Sequence, residues 1–143
     1  MREVHRSAIV PYAADAMFAL VADFEAYPEF VPGCTGSAVL ARDDTGIVAR
    51  LSLAKGPFKS SFTTRNVSAP PRRLTMELVE GPFQSLHGEW LIEPLGRQGC
   101  RIDLRVQFQF PNAAGDWLLG RAFEHTCNGL VDAFVARART IYG

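Results

Sequence analysis

Between Arg101 and Phe110 apolar and polar residues alternate strictly. Ile102, Leu104, Val106, Phe108 and Phe110 take one parity; Arg101, Asp103, Arg105, Gln107 and Gln109 take the other. Period-two alternation with one polar face predicts an antiparallel strand covered on one side and wet on the other. The same period recurs upstream. Leu86, Gly88, Trp90 and Ile92 alternate with His87, Glu89 and Glu93. Leu74, Met76 and Leu78 share a face within Arg73–Val79, as do Ile47, Ala49, Leu51 and Leu53 within Ile47–Lys55. Thr35–Arg42 and Phe58–Val67 complete the series. Asp43-Asp44-Thr45-Gly46, Pro70-Pro71, Gly81-Pro82 and the stretch Gly96–Gly99 supply turns between them. Val4–Val10, closed by Pro11, is a first short strand.

From Asp116 the period changes. Leu119, Phe123, Cys127, Leu130, Val131, Phe134, Val135, Ala138 and Tyr142 recur at spacings of three and four, which places them on one side of a helix. Arg121, His125, Asn128, Asp132 and Arg139 take the opposite side. A helix of about 27 residues runs about 40 Å. Gly115, Gly120 and Gly129 interrupt it, each interior glycine costing about 1 kcal/mol against alanine. Gly129 with Ala133 and Ala136 leaves room for a ligand or a close sheet approach, or else Gly115 belongs to the loop before the helix and Gly120 marks a kink; spacing does not separate these. A short helix over Ala14–Phe24 carries Met17, Phe18, Leu20 and Val21 on one side. A second helical turn over Glu25–Val31 is limited by Pro28 and Pro32, and Gly33 redirects the chain.

The order is strand, two short helices, six strands, long helix. This predicts an α+β fold in a single domain, residues 1–143. About seven antiparallel strands exceed what a flat two-layer arrangement comfortably holds, so the sheet is expected to curl around the long helix.

Composition narrows the function. Fifteen Lys plus Arg balance fifteen Asp plus Glu, so the chain lacks the basic footprint of a nucleic-acid module, and no DNA partner is expected. No apolar run approaches the roughly 20 residues that span a bilayer, and the first turns, with Arg2, Glu3, His5 and Arg6, lack a signal peptide's apolar centre. A cytoplasmic protein is expected. Cys34, Cys100 and Cys127 are scattered and odd in number, which argues for buried free thiols over a disulfide framework or a zinc site.

Catalytic motifs are lacking: the chain has no GxSxG, HExxH, GxxxxGK[ST] or GxGxxG. Alternation aims His87 and His125 at solvent, and His5 is ambiguous. Glu89 and Glu93 share a face, but it is the wet one. The strand Phe58–Val67 differs, because Ser60, Thr64 and Asn66 lie on the inward parity of Phe58 and Phe62. Buried polar groups need partners. Either these groups orient a mainly apolar ligand, or Thr64 and Asn66 meet water or backbone near the strand end.

Several segments carry a resemblance: Tyr27-Pro28-Glu29-Phe30-Val31-Pro32-Gly33-Cys34, Phe62-Thr63-Thr64-Arg65-Asn66, Gly81-Pro82-Phe83, Val10-Pro11-Tyr12 and the strand around Trp90. Together they resemble the coenzyme Q-binding family within the START-like polyketide cyclase/dehydrase group, and in particular its bacterial branch of ribosome association toxins. The resemblance implies a helix-grip fold, a curved sheet wrapped around the C-terminal helix with a hydrophobic cavity between. It also implies ubiquinone or a similar lipid as ligand, with no covalent cofactor and no metal, and a role in respiratory electron transport. Phe62, Thr64, Trp90, Phe108, Leu130 and Phe134 are the expected lining, with Phe30 near the mouth. Peripheral contact with the inner membrane would accompany such a carrier. The bacterial branch implies an alternative, binding to the large ribosomal subunit. A local basic patch for it would draw on Arg101, Arg105, Arg121, Arg137 and Arg139. Cyclases of the group place polar catalytic groups in the cavity; no inward acid or base is found here, so no catalytic residue is assigned.

Overall fold

The computed structural model describes residues 1–69 and 72–143; the expected turn at Pro70-Pro71 lies outside them. Seven strands form one sheet: β1 (Arg2–Val10), β2 (Cys34–Arg42), β3 (Gly46–Lys55), β4 (Phe58–Ala69), β5 (Arg73–Glu80), β6 (Ser85–Leu95) and β7 (Gly99–Gln109). Their spatial order is β1-β7-β6-β5-β4-β3-β2, and each neighbouring pair is antiparallel. Consecutive strands are therefore neighbours from β2 to β7, as short turns dictate. The exception is β1, which crosses to β7 after the two helical segments, α1 (Ala14–Ala22) and a 3-10 helix (Phe24–Glu29). The segment around Pro28 is 3-10 rather than α, and its backbone turns into β2 at Gly33, φ 82°.

Alternation decides which face is buried. Ile102, Leu104, Val106 and Phe108 on β7, and Leu86, Trp90 and Ile92 on β6, are buried on the concave side. His5, His87, Glu89 and Asp103 fall on the convex side. There His5 Nε2 meets Asp103 Oδ1 at 2.8 Å and Arg73 meets Glu89 at 3.3 Å, while His87 pairs with Glu77. The ambiguity at His5 is thus resolved toward the wet face. Irregular register in β2, at Cys34/Gly36 and Val39/Ala41, accompanies the sheet's curvature. Between β4 and β5, Thr63 pairs with Glu80 and Thr64 with Leu78, so Val79 is pushed out of the ladder into solvent.

The concave face holds the C-terminal helix, α3 (Arg121–Tyr142), whose buried residues Phe123, Cys127, Val131, Phe134 and Ala138 form one stripe. It is preceded by a single α-turn, α2 (Ala113–Gly115), and a π-helical stretch, Asp116–Gly120. Gly115 therefore belongs to the first turn, where Asn112 Oδ1 accepts from its N–H at 2.7 Å. Tyr142, on the inner stripe by spacing, is exposed. It has run past the sheet, and its hydroxyl donates to the Ala16 carbonyl at 3.2 Å. A Cβ on Gly129 would meet nothing within 4 Å, so that glycine serves no close approach.

Gly120 does serve one. A Cβ there would lie 2.3 Å from Arg2 Nε, the side chain that ties β1 to the helix start. Arg2 donates from Nε to Asp116 Oδ1 at 3.0 Å and from Nη1 to Glu124 Oε2 at 2.9 Å. Alanine gains up to about 1 kcal/mol of helix propensity over glycine, but at Gly120 it must expel Arg2 from partly exposed ion pairs of about 0–1 kcal/mol each. Gly120→Ala is therefore expected to stabilise an Arg2→Ala chain by roughly 0.5–1 kcal/mol and the native chain by nothing. Urea unfolding of the four-member cycle checks this; additive effects would contradict it.

Candidate ligand cavity

The helix stripe and the concave sheet do not meet everywhere. Between them lies a cavity walled by Ala49, Leu51 and Leu53 on β3, Phe62, Thr64 and Asn66 on β4, Met76 on β5, and Leu86, Gly88 and Trp90 on β6. Val106 on β7 adds to that side. The helix contributes Phe123, Thr126, Cys127, Leu130 and Phe134, and the segment after α1 contributes Phe24, Tyr27, Val31 and Cys34. Ala49 is a small residue in this wall, and Gly88 makes room for Met76, whose Cε would lie 2.6 Å from a Cβ there. The room open to the centre of a water-sized sphere is about 80 Å³. An engineered apolar cavity of about 150 Å³ takes up benzene. A ring with a tail therefore enters only if the wall moves, and Met76, unbranched and half-buried, is the side chain suited to yield.

Five of the seven expected ligand residues stand in this wall: Phe62, Thr64, Trp90, Leu130 and Phe134. Two do not. Phe108 is fully buried on the inward parity, but its ring is spent in an aromatic cluster, 4.8 Å from Phe123 and 6.1 Å from both Phe83 and Phe110. Phe30 packs against Phe134, ring centroids 5.0 Å apart, and is not in the wall. Arg137 covers it from outside at 5.1 Å and donates to Glu29 at 3.0 Å. Alternation tells which side chains point inward, not which of them touch one another instead of empty space.

Ser60 also leaves the expected set, since its hydroxyl donates to the Ser61 carbonyl at 3.4 Å and is not in the wall. Of the two alternatives, the structure shows partners within the protein for Thr64 and Asn66. They are buried, they face the cavity, and they are satisfied by the protein. Asn66 Nδ2 donates to the Ile47 and Thr64 carbonyls, each at 3.1 Å, and Thr64 Oγ1 donates to Asn66 Oδ1 at 3.1 Å. Tyr27, Met76, Phe123 and Cys127 are wall residues not on the expected list. The inner-stripe spacing of Phe123 and Cys127 already carried the signal for those two.

The wall is poor in proton chemistry. Among the described residues that line it there is no carboxylate, imidazole, amine or guanidinium. Its titratable groups are Tyr27, Cys34 and Cys127, and burial pushes all three upward, away from the ionised form. The Tyr27 hydroxyl donates to the Val21 carbonyl at 2.5 Å. Thiols held protonated are weak nucleophiles. The arrangement suits enclosure of an apolar molecule with one small polar contact.

A curved antiparallel sheet gripping a C-terminal helix over an apolar internal cavity defines the START-like helix-grip class. The model of the polyketide cyclase/dehydrase and lipid transport family matches residues 10–135, and the chain belongs to that family. It is 39% identical over 143 residues to the ribosome association toxin RatA of Vibrio cholerae, covering 100% of this chain and 99% of that one. It is 27% identical over 146 residues to the mitochondrial coenzyme Q-binding protein COQ10 homolog B of Xenopus laevis, covering 99% of this chain and 59% of that one. Among solved structures, the ZhuI aromatase/cyclase of Streptomyces sp. R1128 superposes with a TM-score of 0.86 at 20% identity, over 96% of this chain and 93% of that one. That likeness shows the fold alone.

Proposed function

We propose that this chain binds a hydrophobic ligand of the ubiquinone class in the cavity, as a carrier or chaperone and without catalysing its conversion. The observation that carries the reading is the cavity itself: an apolar space under α3 whose polar contacts are concentrated at Thr64 and Asn66. The similarity to a protein named for coenzyme Q binding supports the same ligand class. In this reading the protein works in the cytoplasm, supports respiratory electron transport, and meets the inner membrane only to exchange its ligand. Organic extraction of the purified protein followed by mass spectrometry tests it. A co-purifying isoprenoid is expected; an empty protein that also fails to take up added quinone or quinol would overturn it.

A second reading rests on a different observation, the 39% identity along the full chain to proteins named ribosome association toxins. Here the chain would bind the large ribosomal subunit and hinder subunit association. A general basic face does not support it, because Arg101, Arg105 and Arg137 each meet a carboxylate, of Asp103, Glu3 and Glu29. Contact would then depend on shape and on a few side chains. Sucrose-gradient profiles after overexpression decide: free subunits accumulate if the reading holds, and an unchanged profile removes it.

A further inference from the structure

The hydrogen-bond inventory of the cavity is one-sided. Its amide and hydroxyl donors are already committed. Asn66 Nδ2 spends both hydrogens on the carbonyls of Ile47 and Thr64, and Thr64 Oγ1 donates to Asn66 Oδ1. Thr126 Oγ1 donates back to the Ala122 carbonyl at 3.1 Å, and the Tyr27 hydroxyl to Val21. The orientation of the Asn66 amide is fixed by chemistry, since the reverse would set its oxygen against two carbonyl oxygens. What the polar end has left are acceptor lone pairs, on Thr64 Oγ1 and on the second lobe of Asn66 Oδ1. Asn66 is 2% exposed and Thr64 6%, so water does not dilute the preference.

We infer that this polar end selects a ligand that brings a hydrogen-bond donor: a hydroxyl on an apolar body, and within the quinone class the reduced quinol over the oxidised quinone. The inference rests on the carrier reading above and names the form of ligand that reading requires. A quinol hydroxyl donates to Thr64 Oγ1 or Asn66 Oδ1. A quinone carbonyl, an acceptor only, faces other acceptors there and gains no bond from them, a donor–acceptor mismatch that disfavours it in a buried site. The Trp90 indole N–H can serve an oxygen of either form and does not discriminate between them.

The test is an anaerobic calorimetric titration of delipidated protein with decylubiquinol and, separately, decylubiquinone. The quinol is expected to bind at least tenfold tighter, which raises the two-electron potential of the bound couple by about 30 mV or more. Equal affinities, or a tighter quinone, overturn the inference while leaving the carrier reading in place. Binding of neither overturns both. Thr64→Val alone removes one acceptor but leaves Asn66 Oδ1 without its donor, so it should keep the preference for the quinol. The double variant Thr64→Val, Asn66→Leu removes both acceptors and, checked for folding by its thermal transition, is expected to shrink the preference severalfold; a folded double variant with an undiminished preference would overturn the assignment.

Discussion

Phe134→Ala is expected to cost about 3–5 kcal/mol of stability, the range for deleting a buried aromatic ring. The ring is fully buried and sits at the junction of three elements. Its centroid lies 5.3 Å from Tyr27 and 5.0 Å from Phe30 on the helical segment, and 5.1 Å from Trp90 on β6, all near edge-to-face. Removing it opens the existing cavity toward the surface at Phe30 rather than leaving a small sealed void, so little relaxation can fill it. Urea unfolding monitored by circular dichroism measures the loss. Phe30→Ala, at a half-buried position on the same contact, should cost about 1–2 kcal/mol. A loss below about 1 kcal/mol at Phe134 would mean that α3 does not depend on this junction.

Leu130→Arg should abolish ligand retention while leaving the chain folded. Leu130 lines the cavity one helical turn before Phe134 and is only half-buried. An arginine there can lay its aliphatic stem across the cavity edge with the guanidinium in water. Charge beside the ligand path and lost volume act together, and retained ligand should fall at least tenfold. An arginine at Phe134 would be a poorer probe, since a fully buried charge without a partner unfolds the site it is meant to test. A folded Leu130→Arg chain with wild-type ligand content would put the binding site outside this cavity.

Much of the architecture follows from period alone. Four segments with one apolar face, turn signals that bound the others, and one helical stripe specify a one-sided sheet with a helix against it, because each leaves an apolar face that only the other can cover. The cavity is harder to see. It exists where an inward residue is small, at Ala49, or where neighbours divert a ring elsewhere, as Phe123 and Phe83 do to Phe108. Those are properties of cross-strand and helix–sheet packing, set by register, and residue parity does not contain them. Phe30 illustrates the same limit, since its ring is taken up by Tyr27, Phe134 and Arg137 and not by the cavity wall. Thr64 and Asn66 were legible because polar residues on an inward parity are conspicuous. That their donors are used internally is visible only in the Ile47 and Thr64 carbonyls they meet. Tyr27 enters the wall through the 3-10 segment, whose geometry Pro28 favours but whose packing direction it does not set.

Whether the space under α3 holds a hydrophobic ligand can be read from protein purified from its own cells. Native mass spectrometry of the intact chain, followed by solvent extraction and identification of whatever is released, compares wild type with Leu130→Arg. A bound isoprenoid is expected in the wild type, with at least a tenfold loss in the folded variant. A ligand-free wild type that stays empty when offered decylubiquinol, or a variant that keeps its full complement of ligand, would contradict it.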